Sequence, residues 1–219
     1  MIEYSNHTQI DFEDVWNIEK EYLEPSTISR VEQVMEWDNK NKDIHIFVRD
    51  LNFNKIVGEI TLLPLSKKQF DDFMLNKIED VEFKAHNLLK YEENGLYYLL
   101  FSVIAIANEY RNDSRVLSYL LKGMNVKINT LLQKNIRFEN MCAEGQTKDG
   151  QKFIENFLNL EEKNTTENGY KLYSFNNSKD FVKWLKNFLN TYKNMIKKVL
   201  KKKKSNLNKY LNNIDRRQQ

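Results

Sequence analysis

Leu96–Ala107 reads LYYLLFSVIAIA, a nearly continuous apolar run rich in aromatic and β-branched side chains. Such residues lose side-chain freedom against the preceding turn of a helix, so the run predicts a central strand buried on both faces. A polar loop, Asn108–Asp113, follows it. In the next segment, Ser114–Gln133, Val116, Leu117, Leu120, Leu121, Met124, Ile128, Leu131 and Leu132 keep the 3.6-residue period of a helix. A helix N-terminus presents unpaired N–H groups and a partial positive charge, which makes it an anion site. Arg111 and Arg115 flank this one and can pair with phosphate oxygens. A diphosphate suits the strand–loop–helix unit. The alternative is that Ser114 only caps a helix and both arginines are solvated.

The remaining segments can be placed around this unit. In Asp11–Leu23, Phe12, Val15, Trp16, Ile18, Tyr22 and Leu23 line one helix face, with Asp11 and Asp14 as the cap and Pro25 as the stop. Ser29 and Glu32 have the spacing of a capping box, and Val31, Val34, Met35 and Trp37 give a second helix its apolar side. Ile44–Arg49 and Lys55–Leu65 read as a hairpin of strands. Ser66–Glu93 reads as one or two amphipathic helices, Ile136–Ala143 as a strand, Thr147–Leu158 as a helix and Gly169–Phe175 as the last strand. The order predicts an α/β domain with a mostly antiparallel mixed sheet flanked by helices.

Composition narrows the function classes. Two prolines and six glycines leave no long flexible linker, and no apolar run approaches the ~18 residues of a membrane span. Met1–Ile10 lacks the apolar core of a secretory signal. One cysteine, Cys142, cannot make an internal disulfide, which points to a reducing cytoplasm. With three scattered histidines it argues against a metal site. Charge is distributed unevenly. Residues 179–219 hold eleven lysines and two arginines against two aspartates, a net +11, which leaves −8 for residues 1–178 of a chain whose total is +3. Any polyanion contact, with nucleic acid or an anionic membrane, therefore belongs to the tail. There Phe181, Leu185, Phe188, Tyr192, Met195 or Ile196, and Val199 form an apolar stripe suited to packing on the domain or on a second copy.

Ile106-Ala107-Asn108-Glu109-Tyr110-Arg111, followed by Asn112-Asp113-Ser114-Arg115-Val116, resembles the GNAT acetyltransferase signature. In that signature a strand ends in a turn and then a Gln/Arg-x-x-Gly-x-Gly/Ala loop opens a helix. Arg111 matches the Gln/Arg position, Ser114 stands for glycine and Val116 for the small residue. Leu158-Asn159-Leu160 is similar to the family's Leu-Gly-Phe step, with asparagine the non-glycine residue most tolerant of positive φ. The resemblance covers residues 1–176, an acyl-CoA-binding domain with an insertion at 66–93, followed by a basic helical extension at 177–219. It implies acetyl-CoA as cofactor and acetyl transfer to an amine of a small molecule, protein or peptide. The loop Arg111, Asn112, Asp113, Ser114, Arg115 and Val116 would hold the diphosphate. Val103–Ala107 would part from Ile136–Ala143, and backbone N–H groups near Ile104 and Ile106 would hold the pantetheine arm and polarise the thioester. The tyrosine that many members use as proton donor is missing from Phe153–Phe157. Strand position leaves Glu59, Glu144, Tyr97 and Tyr98 as candidates for proton transfer. The altered glycines leave two alternatives: a silent CoA-binding or interaction module, and a GNAT-like toxin acting on aminoacyl-tRNA. The insertion reads equally as a lid over the acceptor site or a decoration of the sheet edge.

Overall fold

The apolar run becomes β4 (Leu96–Ile106), the middle strand of a seven-stranded sheet in the computed structural model of the chain, which describes residues 2–3 and 7–191. The others are β1 (Ile2–Glu3), β2 (His45–Asp50), β3 (Lys55–Leu65), β5 (Arg137–Gly145), β6 (Glu161–Thr165) and β7 (Lys171–Ser174), in the spatial order β1-β2-β3-β4-β5-β7-β6. Every neighbouring pair is antiparallel except β4 and β5. That parallel pair needs a crossover, supplied by a 20-residue helix, α4 (Ser114–Gln133). Glu161–Thr165 was not expected as a strand. Its sequence, EEKNT, is exposed at all five positions, so it carries no apolar signal, and its charges blunt a sheet edge.

Two helices cover one face of the sheet. α1 (Gln9–Glu19) starts one turn earlier than its apolar pattern suggests. Thr8, not Asp11, is its cap: the Thr8 hydroxyl accepts from Asp11 N–H while the Asp11 carboxylate accepts from Thr8 N–H. Phe12, Val15 and Ile18 then pack on Phe47, Ile56, Ala105 and Ala107. α2 (Val31–Lys40) begins without the expected Ser29–Glu32 box. Its cap position falls on Arg30, because a tight turn at Pro25–Thr27 and extended backbone at Ile28 and Arg30 delay the first helical residue. α4 lies against the opposite face. Gly58 of β3 makes this close approach possible, since a Cβ there would stand 3.0 Å from Val116 Cγ1 and 3.2 Å from Leu120 Cδ1.

Ser66–Glu93 forms one helix rather than two, α3 (Lys67–Met74), followed by a single tight turn at Asp80–Glu82. Ser66 and Gln69 make its capping box, and Phe70 and Phe73 are buried. The rest of the segment has no helical period to fold on and is strapped down by side chains. Trp37 Nε1 donates to Phe83 O (2.6 Å), Gln33 to Val81 O and Phe83 O, and Lys40 to Ala85 O. The predicted helix Thr147–Leu158 is split between α5 (Lys148–Phe153) and a wider turn at Ile154–Leu158. Asn159 ends that turn in the left-handed conformation, φ 58° and ψ 37°. Asn54, Asn76, Asn94 and Asn135 take positive φ as well, so asparagine does the work of glycine in a glycine-poor chain.

The chain divides into two compact units, Met1–Trp184 and Leu185–Gln219. Within the first, residues 178–184 are helical, and the fully buried Phe181 and the Trp184 ring stand 5.6 and 5.8 Å from Phe175. Within the second, residues 185–191 are helical. The lysine run and the rest of the expected apolar stripe, from Tyr192 on, lie outside the described residues. No helix among the described residues is long and apolar enough to cross a membrane. A chain ending at Asn177 should melt earlier than one ending at residue 191, by about 3 kcal/mol or more, because Phe175 loses both aromatic neighbours. Equal melting temperatures would show that 178–184 add nothing to the first unit.

Candidate active site

β4 and β5 pair from Leu96↔Arg137 only as far as Phe101↔Ala143. Beyond that point β4 stays with β3, and β5 turns its last residues to β7 through Glu144↔Leu172 and Gly145↔Lys171. The strands therefore part at the middle of the sheet. The β3–β4 register decides what faces the gap. Ala107 N–H donates to Val57 O, so Ala107, Ala105 and Val103 sit in the hydrogen-bonded positions of that antiparallel pair. The intervening Ile104 and Ile106 turn their N–H and C=O groups toward the gap. Tyr22 meets the last of these: its hydroxyl donates to Ile106 O (2.6 Å), with Asn108 Oδ1 2.8 Å away.

A cavity of about 240 Å³ opens at this gap. Phe101, Val103 and Phe153 give it apolar walls, and Thr27, Glu144 and Gln146 a polar rim. Gln146 spans that rim, donating to Glu144 Oε1 (2.7 Å) with Thr27 Oγ1 at 3.1 Å from its Oε1. Glu59 forms the floor. The register aligns Phe47, Glu59 and Ala105 across three strands, and beside them His45, Thr61 and Val103, all facing α1 and α2. Glu59 is 1% exposed, and its carboxyl shares a hydrogen bond with that of Glu19 at the end of α1. Burial first, and the Glu19 charge second, push its pKa well above the usual 4.5. His45 Nδ1 lies 2.8 Å from Thr61 Oγ1, and complete burial holds the ring neutral, with a pKa of about 3.

The loop expected from the sequence to meet a diphosphate runs from Arg111 to Val116. Arg111 lines the cavity, lies over the Tyr22 ring and pairs with Asp149 at 2.5 Å. Asp113 is the cap of α4. Its carboxylate accepts from Arg115 N–H (2.9 Å) and from the Arg115 guanidinium (2.6 Å), which lowers its pKa to about 2. A side-chain carboxylate thus already occupies the N-terminal pole of α4. Ser114 is the first helical residue and is not among the positive-φ positions, so serine stands in the family's glycine position without left-handed backbone strain. Val116 turns its side chain to Gly58 on the opposite face of β3, so only its backbone belongs to the loop.

Of the four proton-transfer candidates, Glu59 and Glu144 line the cavity, and Tyr97 and Tyr98 do not. Tyr97 serves the insertion, donating to Lys90 O and accepting from Glu92 N–H, both at 2.8 Å. Tyr98 packs against Phe70. No described residue of Ser66–Glu93 lines the cavity, so that segment is no lid in this state. Sequence reasoning missed Glu19, Tyr22, His45 and Thr61. The signal was there for two of them: Glu19 sits four residues after Val15 on the apolar face of α1, and Thr61 follows Glu59 by two in an otherwise apolar strand.

This architecture, a sheet that parts beside a helix crossover, is the GNAT acetyltransferase fold. The chain is similar to the crystal structure of the NatC complex bound to Gag peptide and CoA, with 8% identity, a TM-score of 0.52, and 80% of this chain and 94% of that one covered. It is also similar to the loading GNATL domain of CurA from Lyngbya majuscula, with 12% identity, a TM-score of 0.51, and 82% and 99% covered. No protein-family model matches the chain, and no curated protein matches it in sequence. At such identities the likeness is one of fold.

Glu59 offers a test through stability. A carboxyl whose folded pKa is raised binds more protons folded than unfolded, so its contribution to stability is lost as pH rises above 4.5 through the folded value. Glu59→Gln removes that loss, whereas Asp11, Asp38 and Asp43, all lowered in the folded state, titrate alike in both proteins. The variant should therefore gain melting temperature on the parent between pH 5 and pH 8. Parallel pH profiles would contradict the buried carboxyl pair.

Proposed function

We propose that the chain is an acyl-CoA-dependent acyltransferase that moves an acetyl group to an amine. The observation that carries this reading is the parting of β4 from β5 with the Ile104 and Ile106 N–H groups facing the gap, above a carboxyl pair of buried Glu59 and half-buried Glu19. The chain's own residues fit a CoA ester at both ends. The gap offers backbone donors between apolar walls for an amide-containing arm. The loop Arg111–Val116 offers a helix N-terminus and two arginines for a diphosphate. Both arginine–carboxylate pairs there are solvent-exposed, with Arg111 48% and Arg115 80% accessible. Such pairs are worth about 0–1 kcal/mol, so either arginine can leave its carboxylate for a phosphate. When bound, acetyl-CoA would supply a thioester whose acyl carbon bonds to the amine nitrogen as the carbon–sulfur bond breaks, the nitrogen's remaining extra proton passing to the departing sulfur to give the free CoA thiol.

Each protein group then has a role. Ile104 N–H stabilises negative charge on an oxygen held in the gap, as a fixed dipole that needs no reorganisation. The Glu19–Glu59 pair holds one proton between two carboxyls, and its ionised member takes the proton that an ammonium must lose before it can attack. Tyr22 holds the end of β4 in place through Ile106 O and accepts the stacked Arg111. Cys142 has no part. It is fully buried in β5, its Sγ faces Leu99 O, and burial raises its thiol well above the ordinary range.

Calorimetry with acetyl-CoA, followed by release of free CoA thiol with a panel of amines, tests the reading. Arg111→Ala and Arg115→Ala should weaken CoA severalfold while leaving fragments without the diphosphate unchanged. Asp113→Asn, which removes the competing carboxylate, should strengthen CoA binding. Cys142→Ser should keep acyl transfer within severalfold of the parent. No binding at millimolar acetyl-CoA would overturn the proposal. Binding without thiol release from any amine would favour the second reading, a silent CoA-binding module, to which the self-capped Asp113 loop also points.

A further inference from the structure

The cavity floor carries more hydrogen-bonding capacity than the described residues use. Glu59 Oε1 and His45 Nε2 are buried without a partner, in side chains that are 1% and 0% exposed, and both residues line the cavity. They are neighbours by register. His45 stands opposite Thr61, Glu59 precedes Thr61 by two residues on β3, and all three face α1 and α2. A buried carboxylate oxygen and a buried imidazole nitrogen left open in one cavity are costly for the fold alone to maintain.

The surroundings select the ligand. Glu19, Glu59, Glu144 and Asp149 line the cavity, and its one cationic side chain among the described residues, Arg111, is paired with Asp149. Even with one proton shared between Glu19 and Glu59, the acidic groups outnumber Arg111 and the net field is negative. The Thr61 hydroxyl can accept from His45 Nδ1–H at 2.8 Å, and in that tautomer His45 Nε2 is an acceptor, as is the unpartnered oxygen of Glu59. Two acceptors under a negative field call for a positively charged group with several N–H donors. Val15, Leu23, Val34 and Trp37 line the same cavity and supply apolar surface. A space of about 240 Å³, part of it taken by the acyl donor's arm, admits a short chain end and no folded surface.

We propose that this floor is the acceptor subsite and that it takes a small primary alkylammonium, the –NH₃⁺ bonding Glu59 Oε1 and His45 Nε2 and the alkyl chain lying on Val15, Leu23, Val34 and Trp37. Calling the ligand an acceptor rests on the acyltransferase reading; the cation site does not. The neutral state of His45 suits it to accept from an ammonium without repelling it. Glu59 is then a binding residue as well as one member of the carboxyl pair that shares the proton. An ammonium at the floor exchanges the carboxyl–carboxyl hydrogen bond with Glu19 for two charge-assisted bonds.

Ligand-detected NMR titrations of the full chain at pH 7 with n-butylamine and with butan-1-ol test this, with acetyl-CoA titrated separately. The parent protein should bind the amine at least tenfold more tightly than the alcohol. Glu59→Gln should bring the amine down to the level of the alcohol while acetyl-CoA affinity stays within twofold. Equal affinity for amine and alcohol in the parent would overturn the proposal, as would a folded Glu59→Gln variant that binds the amine unchanged. If that variant does not fold, the comparison in the parent decides alone. Amine binding with no acetyl-CoA binding would remove the acyltransferase reading and leave the cation site standing.

Discussion

Everything at the site depends on where β4 and β5 stop sharing hydrogen bonds. A parallel pair in the middle of a sheet normally runs on, since each unmade ladder bond leaves a donor and an acceptor to be satisfied elsewhere. Here both strands are drawn apart by better-placed partners. β4 is held by β3 to Gly58↔Ile106, and its end is latched by Tyr22 at Ile106 O and by Glu21 at Asn108 N–H. β5 is drawn to β7, where Gly145 has no room for a side chain: a Cβ would come within 2.9 Å of Tyr173 and closer still to Gln151. The gap is thus built by contacts on either side of it, and its open donors on β4 follow from strand geometry alone.

The second constraint is electrostatic. Three polar side chains on the α1/α2 face, His45, Glu59 and Thr61, stand where leucine or valine would pack without cost. Replacing buried ionisable groups by apolar ones of similar volume is often neutral or stabilising. Retaining them fits a face that serves chemistry before stability. The same tension recurs at the loop proposed for the diphosphate. Asp113 caps α4 well, and by doing so occupies the helix pole that the proposed diphosphate site would use. A stable ligand-free loop and a receptive one are in competition there.

Much of this was legible in the residues. Lys55–Leu65 and Ser114–Gln133 appear at their expected bounds, and Leu96–Ala107 is one residue longer than β4, because apolar period and β-branching speak directly for those elements. That Ile104 and Ile106 turn their N–H groups away from β3 was implied by the family resemblance rather than by period or β-branching, and it follows here from the β3–β4 register. What was illegible had a local cause. Thr8 outcompeted Asp11 as a cap because both carry a suitable side chain, and only the reciprocal bond settles which is used. EEKNT has no apolar face to reveal a strand. Tyr97 and Tyr98 looked as placed for chemistry as Glu59, yet they lie before the point where β5 leaves β4, Tyr97 opposite Phe138 and Tyr98 opposite Leu65, and alternation along one strand cannot say where its neighbour leaves.

Amide hydrogen exchange, resolved to single residues by NMR, addresses the gap most directly. On addition of acetyl-CoA, the amides of Ile104 and Ile106 should become protected, whereas those of Val103 and Ala105, already bonded to β3, should exchange as before. Unchanged exchange at Ile104 and Ile106, with acetyl-CoA demonstrably bound, would contradict the claim that the parting of β4 from β5 is where the acyl donor is held.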